Sequence, residues 1–199
     1  MTYVKASVRR PAGNPGNGIQ PKDQLVIYDV DDILSFPPRN EAGVVIEEDI
    51  VMKAGRYAIS IYLTPGTAEI SSNSDGETDA EGYTPSVKFN HPGNEQEIRE
   101  FKTNWLSKKC IVVLRYCSGK PADLIGTPCN PCKLSVSYTG SNESNTNELT
   151  FTQISKGDDI AIYRGTDTLE EPVAVVEAGA TDIDYQTDGQ YQLSAGAAK

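Results

Sequence analysis

The stretch "NEQEIREFKTNWLSKKCIVVLRYC", residues 94–117, decides the fold. Its first part reads as a helix over about 94–109. Asn94 stands at the cap position and Glu97 three residues on, the spacing of a capping box. Ile98, Phe101, Trp105 and Leu106 recur at helical spacing and form one apolar stripe. Glu95 and Glu97 sit near the start and Lys108 and Lys109 near the end, which suits the helix dipole. The stripe predicts a helix laid on a sheet, with Ile98, Phe101 and Trp105 as its anchors. At Cys110 the pattern changes abruptly. "CIVVLRYC" (110–117) is β-branched and apolar, and reads as a strand.

Working outward, every other patterned segment is a strand. Upstream, "QLVIYDV" (24–30) is one. "VVIEEDIVMK" (44–53) and "RYAISIYLT" (56–64) flank Ala54-Gly55 and predict a hairpin. In its second arm Tyr57, Ile59, Ile61 and Leu63 share one face, while Arg56, Ala58, Ser60, Tyr62 and Thr64 share the other. Glu47, Glu48 and Asp49 interrupt the first arm. "SSNSDGETDAEG" (71–82) is acidic, lacks large apolar residues and predicts a long exposed loop. "YTPSVKFN" (83–90) follows as a strand. Downstream, "DLIGTP" (123–128), "CKLSVSYT" (132–139), "ELTFTQIS" (148–155) and "IAIYRG" (160–165) are strands. The Ser/Asn-rich "GSNESNTN" joins two of them as a hairpin loop. "PVAVVEA" and "QYQLSAG" add short strands near the end. Strands, one helix, then strands describe a mainly β fold: a β-sandwich or barrel with one flanking helix. The organisation expected is an N-terminal arm (1–23, rich in Gly, Pro and Asn), a β domain (24–165) and an acidic C-terminal extension (166–199).

The chain has 199 residues, 38% of them hydrophobic, enough for one core without covalent staples. No secretory leader and no run of ~20 apolar residues is seen. These features predict a soluble protein made in a cytoplasm, with no membrane anchor. Net charge is −10. Residues 1–20 hold Lys5, Arg9 and Arg10 and no acid, whereas residues 166–199 carry −6. An acidic chain is poorly suited to gripping DNA phosphates. Opposite charges at the two ends suit contacts between subunits, or simply solvated tails.

The cysteines offer the clearest candidate for chemistry. Cys129 and Cys132 form a C-x-x-C, with Cys110 and Cys117 upstream. Seven steps of strand separate the latter two by roughly 23 Å and turn them to opposite faces. The remaining pair is too little for a four-ligand zinc site. Cys132 leads into a strand rather than a helix and shares a face with Leu134, Val136 and Tyr138, so a buried core thiol is expected. His91 is the one histidine and lies beside Pro92-Gly93, so no Ser-His-Asp grouping is supported. No phosphate-cradling glycine loop is present. "SDGETDAEG" weakly resembles a calcium loop. The expectation is a protein that is not an enzyme and has no cofactor or metal.

The order "EDIVMKAGRYAISIYLTP", acidic loop, "YTPSVKFNHPG", "NEQEIREFKTNWLSKK", "CIVVLRYCSG", "LIGTPCNPCKLSVSYTG" and "ELTFTQISKG" resembles phage tail tube proteins. The resemblance is in particular to those of phages and prophages of Bacteroides-type hosts. The resemblance spans roughly residues 44–165. It implies a β-sandwich with one helix, assembled into hexameric rings that stack into a virion tail. Each subunit would add a hairpin to an inner barrel through which DNA is ejected without specific binding. Its partners would be itself and other tail proteins, and assembly would take place in the host bacterial cytoplasm. On this reading the hairpin 44–64 lines the channel, Glu47 and Asp49 face the lumen, and the arm with Lys5, Arg9 and Arg10 joins subunits. The alternatives are a neck or tail-terminator ring, a capsid decoration or adhesion sandwich binding carbohydrate, and a carboxylate hydrolase using Glu47, Glu48 or Asp49.

Overall fold

A computed structural model describes residues 5–14, 16–18, 20–117 and 119–169. The protein is mainly β, with a single α-helix among the described residues. The strands are β1 (Pro21–Asp29), β2 (Ile33–Ser35), β3 (Val45–Ile46), β4 (Val51–Met52), β5 (Ile59–Tyr62), β6 (Glu69–Asp75) and β7 (Gly82–Pro92). After helix α1 (Gln96–Trp105) come β8 (Cys110–Tyr116), β9 (Ala122–Ile125), β10 (Cys132–Gly140), β11 (Asn145–Gln153) and β12 (Ala161–Tyr163).

The pairings divide these strands into two sheets and a small ribbon. Sheet one runs β5-β1-β8-β9-β12-β3, and only its β12–β3 pair is parallel. Sheet two runs β10-β11-β7-β6 and is antiparallel throughout. The sheets meet at one corner, where Cys132 of β10 pairs with Cys110 at the start of β8. The same edge of β8 then carries β9 from Val112 to Leu114.

Packing follows from this division. Leu25, Ile27, Val112, Leu114, Phe89, Phe151 and Leu149 fill the space between the sheets. Phe89 and Phe151, neighbours across β7 and β11, stack with ring centroids 6.3 Å apart. A second cluster lies on the other face of sheet one: Val26, Tyr28, Ile111, Val113, Leu124 and Tyr163, covered by Ile46, Ile50, Ala58 and the partly buried Val30, Ile33, Phe36 and Met52. Sheet one is therefore buried on both faces, and this is why β1 and β8 are apolar at successive positions rather than alternate ones.

Helix α1 closes the inter-sheet core. Ile98 is buried, and Phe101 and Trp105 are half-buried against the same cluster, stacked on each other at 5.7 Å. The helix is shorter than the sequence pattern suggests. Its N-cap is Glu95, which makes no side-chain cap bond. Asn94 instead accepts from the Arg99 side chain at its carbonyl (2.8 Å) and from Lys102 at Oδ1 (3.2 Å). Leu106 leaves the stripe and is 54% exposed, because the chain turns at Trp105 to begin β8.

Two expected features take other forms. Residues 44–64 are not a hairpin: β3 pairs with β12, β4 with β2, and β5 with β1. The acids at 47–49 break the first arm, and each fragment finds a distant partner. Residues 71–82 are not one long loop either. Residues 71–75 belong to β6, paired residue for residue with β7 from Glu69↔Lys88 to Asp75↔Gly82, so the exposed connection is only residues 76–81. The cross-strand hydroxyl bond between Ser71 and Ser86 (3.0 Å) helps a Ser/Asn strand hold this register. The segments "PVAVVEA" and "QYQLSAG" lie outside the described residues.

Candidate assembly surfaces

The register of sheet two brings polar side chains into rows on the face turned away from the core. Glu69, Lys88, Thr150 and Ser135 are successive partners across the four strands, and Ser71, Ser86, Thr152 and Lys133 form the next row. Asn90, Glu148 and Ser137 make a third. Each of these strands sends its apolar residues inward, for example Ile70, Val87, Phe151 and Leu134 in one matching row. The polar face thus consists of small hydroxyls and amides with a few charges. Lys88 and Glu148 pair across it at 3.6 Å, and Asp75 pairs with Lys156 at 3.1 Å. Lys156 draws the Asp75 carboxyl below its ordinary range.

The two outer strands of this sheet have open edges. β6 pairs only with β7, and β10 beyond Cys132 pairs only with β11 among the described residues. The signal for this surface was present in the sequence: Lys133, Ser135, Ser137 and Thr139 alternate with Leu134, Val136 and Tyr138.

Glu47 and Asp49 lie elsewhere. They occupy the exposed link between β3 and β4, beside β12, on the far side of sheet one. Glu47 pairs with Arg164 at 3.2 Å. Asp49 Oδ1 accepts from the Thr166 N–H (2.6 Å) and hydroxyl (3.2 Å). These contacts belong to a larger clamp on residues 164–168. The Asp167 carboxylate, only 7% exposed, accepts from the Tyr28 hydroxyl (2.6 Å) and from Arg115 Nε. Arg115 also donates through Nη2 to the Gly165 carbonyl (2.7 Å) and stands over the Tyr163 ring. Burial, then the Asp167 carboxylate, raises the Tyr28 hydroxyl well above the usual tyrosine range. The hydrogen bond to Asp167 raises Arg115 in turn. Tyr28 is thus held neutral and Arg115 charged, so the clamp has one buried anion and one cation to balance it.

The arm residues Lys5, Arg9 and Arg10 are exposed, and Val8 is 97% exposed. Early in the arm the Asn17 N–H to Asn14 O bond (3.2 Å) is local, whereas at its end Gln20 O accepts from the Cys117 N–H (3.0 Å) and Pro21–Asp23 belong to β1. The anchors Ile98, Phe101 and Trp105 gather on α1 as described above.

The thiols divide two and two. Cys110 and Cys132 are buried at the sheet corner, where Cys110 Sγ donates to the Cys132 carbonyl at 3.4 Å. Burial pushes the Cys110 thiol up to about 12 and raises Cys132 as well, so neither is a thiolate at neutral pH. Cys117 and Cys129 are exposed. No group of three or more His, Cys, Asp or Glu side chains converges as for a metal among the described residues. His91 ends β7 and meets the Tyr62 carbonyl at 2.9 Å through Nδ1.

Against protein-family models, curated proteins and solved structures, the chain has no match.

Proposed function

We propose that the chain is a virion structural protein that assembles into stacked rings forming a phage tail tube. The observation that carries this reading is sheet two: one face packs the core, the other is polar across all four strands, and both edges are open. A sheet of this kind suits a channel wall. Its neighbours in a ring extend it at either edge, and its polar face meets water. Three acids (Glu69, Asp75, Glu148) against Lys88, Lys133 and the Lys156 that pairs with Asp75 leave it without excess positive charge. DNA, with one charge per ~1.7 Å of axis, passes such a wall without adhering. The wall is therefore assigned to sheet two rather than to residues 44–64, and Glu47 and Asp49 face away from the lumen. The order of segments over 44–165 supports the same class, and the resemblance supplies the ring size of six.

Electron microscopy of the purified protein tests this. Rings or tubes with an open centre are expected, and a chain that stays monomeric up to high concentration overturns the proposal. Lysine placed at Ser135 and Thr150 should impair DNA passage through assembled tails. Lysine at Glu47 and Asp49 should leave it unchanged.

A further inference from the structure

The C-x-x-C spacing draws attention to Cys129 and Cys132, but the fold pairs the thiols differently. Cys110 opens β8 and Cys132 opens β10, and the two face each other at the register position that joins the two sheets. The direction of their peptide groups follows from the other edge of β8. The Val30 N–H donates to the Lys109 carbonyl (3.0 Å), so Lys109 faces β1 and Cys110 turns its own N–H and C=O toward β10. Cys110 and Cys132 are therefore a hydrogen-bonded pair, a geometry that holds the Cα atoms about 5.5 Å apart. That separation lies within the span of about 4.4–6.8 Å that a disulfide bridges.

Side chains of directly opposed antiparallel residues stand on the same face. Here both enter the inter-sheet core, where Cys110 is 1% and Cys132 0% exposed. The Cys110 sulfur lies against the Cys132 backbone through its contact with the carbonyl. Gly126, at φ +92°, keeps the space beside them open. A Cβ there would stand 3.1 Å from Cys132 Sγ and 3.4 Å from the Cys110 carbonyl oxygen.

We propose that Cys110 and Cys132 form a cross-linking site, closed to a disulfide by a peroxide once the chain leaves a reducing compartment. One thiol gives up its proton and its sulfur attacks a peroxide oxygen. The O–O bond breaks, leaving a sulfenic acid and one water. The second sulfur then attacks the sulfenic sulfur. The S–S bond forms, the S–O bond breaks, and the hydroxyl leaves as a second water with the second thiol's proton. The two sulfurs are oxidised by two electrons in all, and the peroxide is reduced to two waters. Burial keeps both thiols protonated and shielded, so the reaction waits on transient opening of the corner. The bond closes a loop between positions 22 residues apart and ties one sheet to the other. Only its timing rests on the virion reading, in which assembly inside a cell precedes exposure to oxidant.

The test uses the full-length chain with Cys117→Ser and Cys129→Ser, which remove the exposed thiols. The chain is purified in reductant and exposed to hydrogen peroxide, both folded and during refolding from denaturant. The expected product is lighter by two hydrogens, yields a linked peptide containing residues 110 and 132, and has no thiol left to alkylate after denaturation. Its unfolding midpoint should rise and should fall back on adding dithiothreitol. A further Cys132→Ala change should abolish both the mass loss and the rise. The proposal is overturned if both thiols stay free under both treatments, if they end as sulfinic or sulfonic acids or as links between chains, or if the link lowers the midpoint. Electron microscopy reads the ring proposal separately. Rings built from chains that never link remove the cross-link alone, and linked chains that stay monomeric remove the rings alone.

Discussion

Sheet one carries Leu25-Val26-Ile27-Tyr28 and Ile111-Val112-Val113-Leu114 as unbroken apolar runs, whereas sheet two alternates Lys133-Leu134-Ser135-Val136 residue by residue. The difference is one of faces. The runs of sheet one pack on sheet two with one parity and on the 30–58 segment with the other. The strands of sheet two bury a single parity and give the other to solvent. In one molecule, then, strand composition records how many faces are covered, and sheet two is the one with a face left free.

The comparison makes predictions that differ in size. The inner parity of sheet two belongs to the core no less than sheet one does. Phe151→Ala should cost about 3–5 kcal/mol in unfolding free energy, since the ring is fully buried and stacked on Phe89. Chemical denaturation measures it, and a loss below about 1 kcal/mol would mean that sheet two does not share the core. A reciprocal pair of near-isosteric changes sharpens the contrast. Val113→Thr buries a hydroxyl on the far face of sheet one and should cost about 1–3 kcal/mol. Thr150→Val, on the polar face of sheet two, should stay within about 0.5 kcal/mol of wild type. Equal costs would erase the distinction between the sheets.

The smallest effect concerns Asp123 at the rim of sheet one. Burial, then the charge of Asp159, raises its carboxyl above the ordinary range, against the opposing hydrogen bond from the Tyr116 hydroxyl (2.5 Å). A carboxyl raised on folding favours the folded state when protonated, and that contribution is lost as pH rises from the ordinary aspartate range through the raised value. Asp123→Asn should therefore be slightly more stable than wild type at neutral pH, with the gap closing in acid. Thermal unfolding across that range tests the sign, and a gap that widens in acid would contradict it.

The strands of both sheets were legible because a local pattern reports local burial. The apolar runs marked β1 and β8, the alternation marked β10 and β11, and the Ile98–Trp105 spacing marked the helix. Pairing was less legible. Residues 44–64 contain three strand fragments whose partners, β12, β2 and β1, are set by tertiary contacts, while adjacency and an Ala-Gly turn argued for a hairpin. β6 was hidden because Ser, Asn and Asp favour loops on their own. It is a strand because β7 supplies its partners. Of the candidate surface, the polar face was visible in the 133–139 alternation, but its extent depends on the cross-strand register. The clamp at Asp167 was not visible, since its members lie at residues 28, 115 and 167.

The register that places β1 beside β8 also constrains how the chain acquires its structure. Asp29 pairs with Cys110, roughly eighty residues later, whereas β6–β7 and β10–β11 each close over a short turn. Loop closure favours the two local hairpins first, and contacts of such long range slow the final step. On a ribosome the Leu25–Tyr28 run would meet β5 first and keep its other edge open until β8 is made. The β1 edge that β8 covers, among the most buried parts of the mature molecule, thus waits longest for its partner during synthesis.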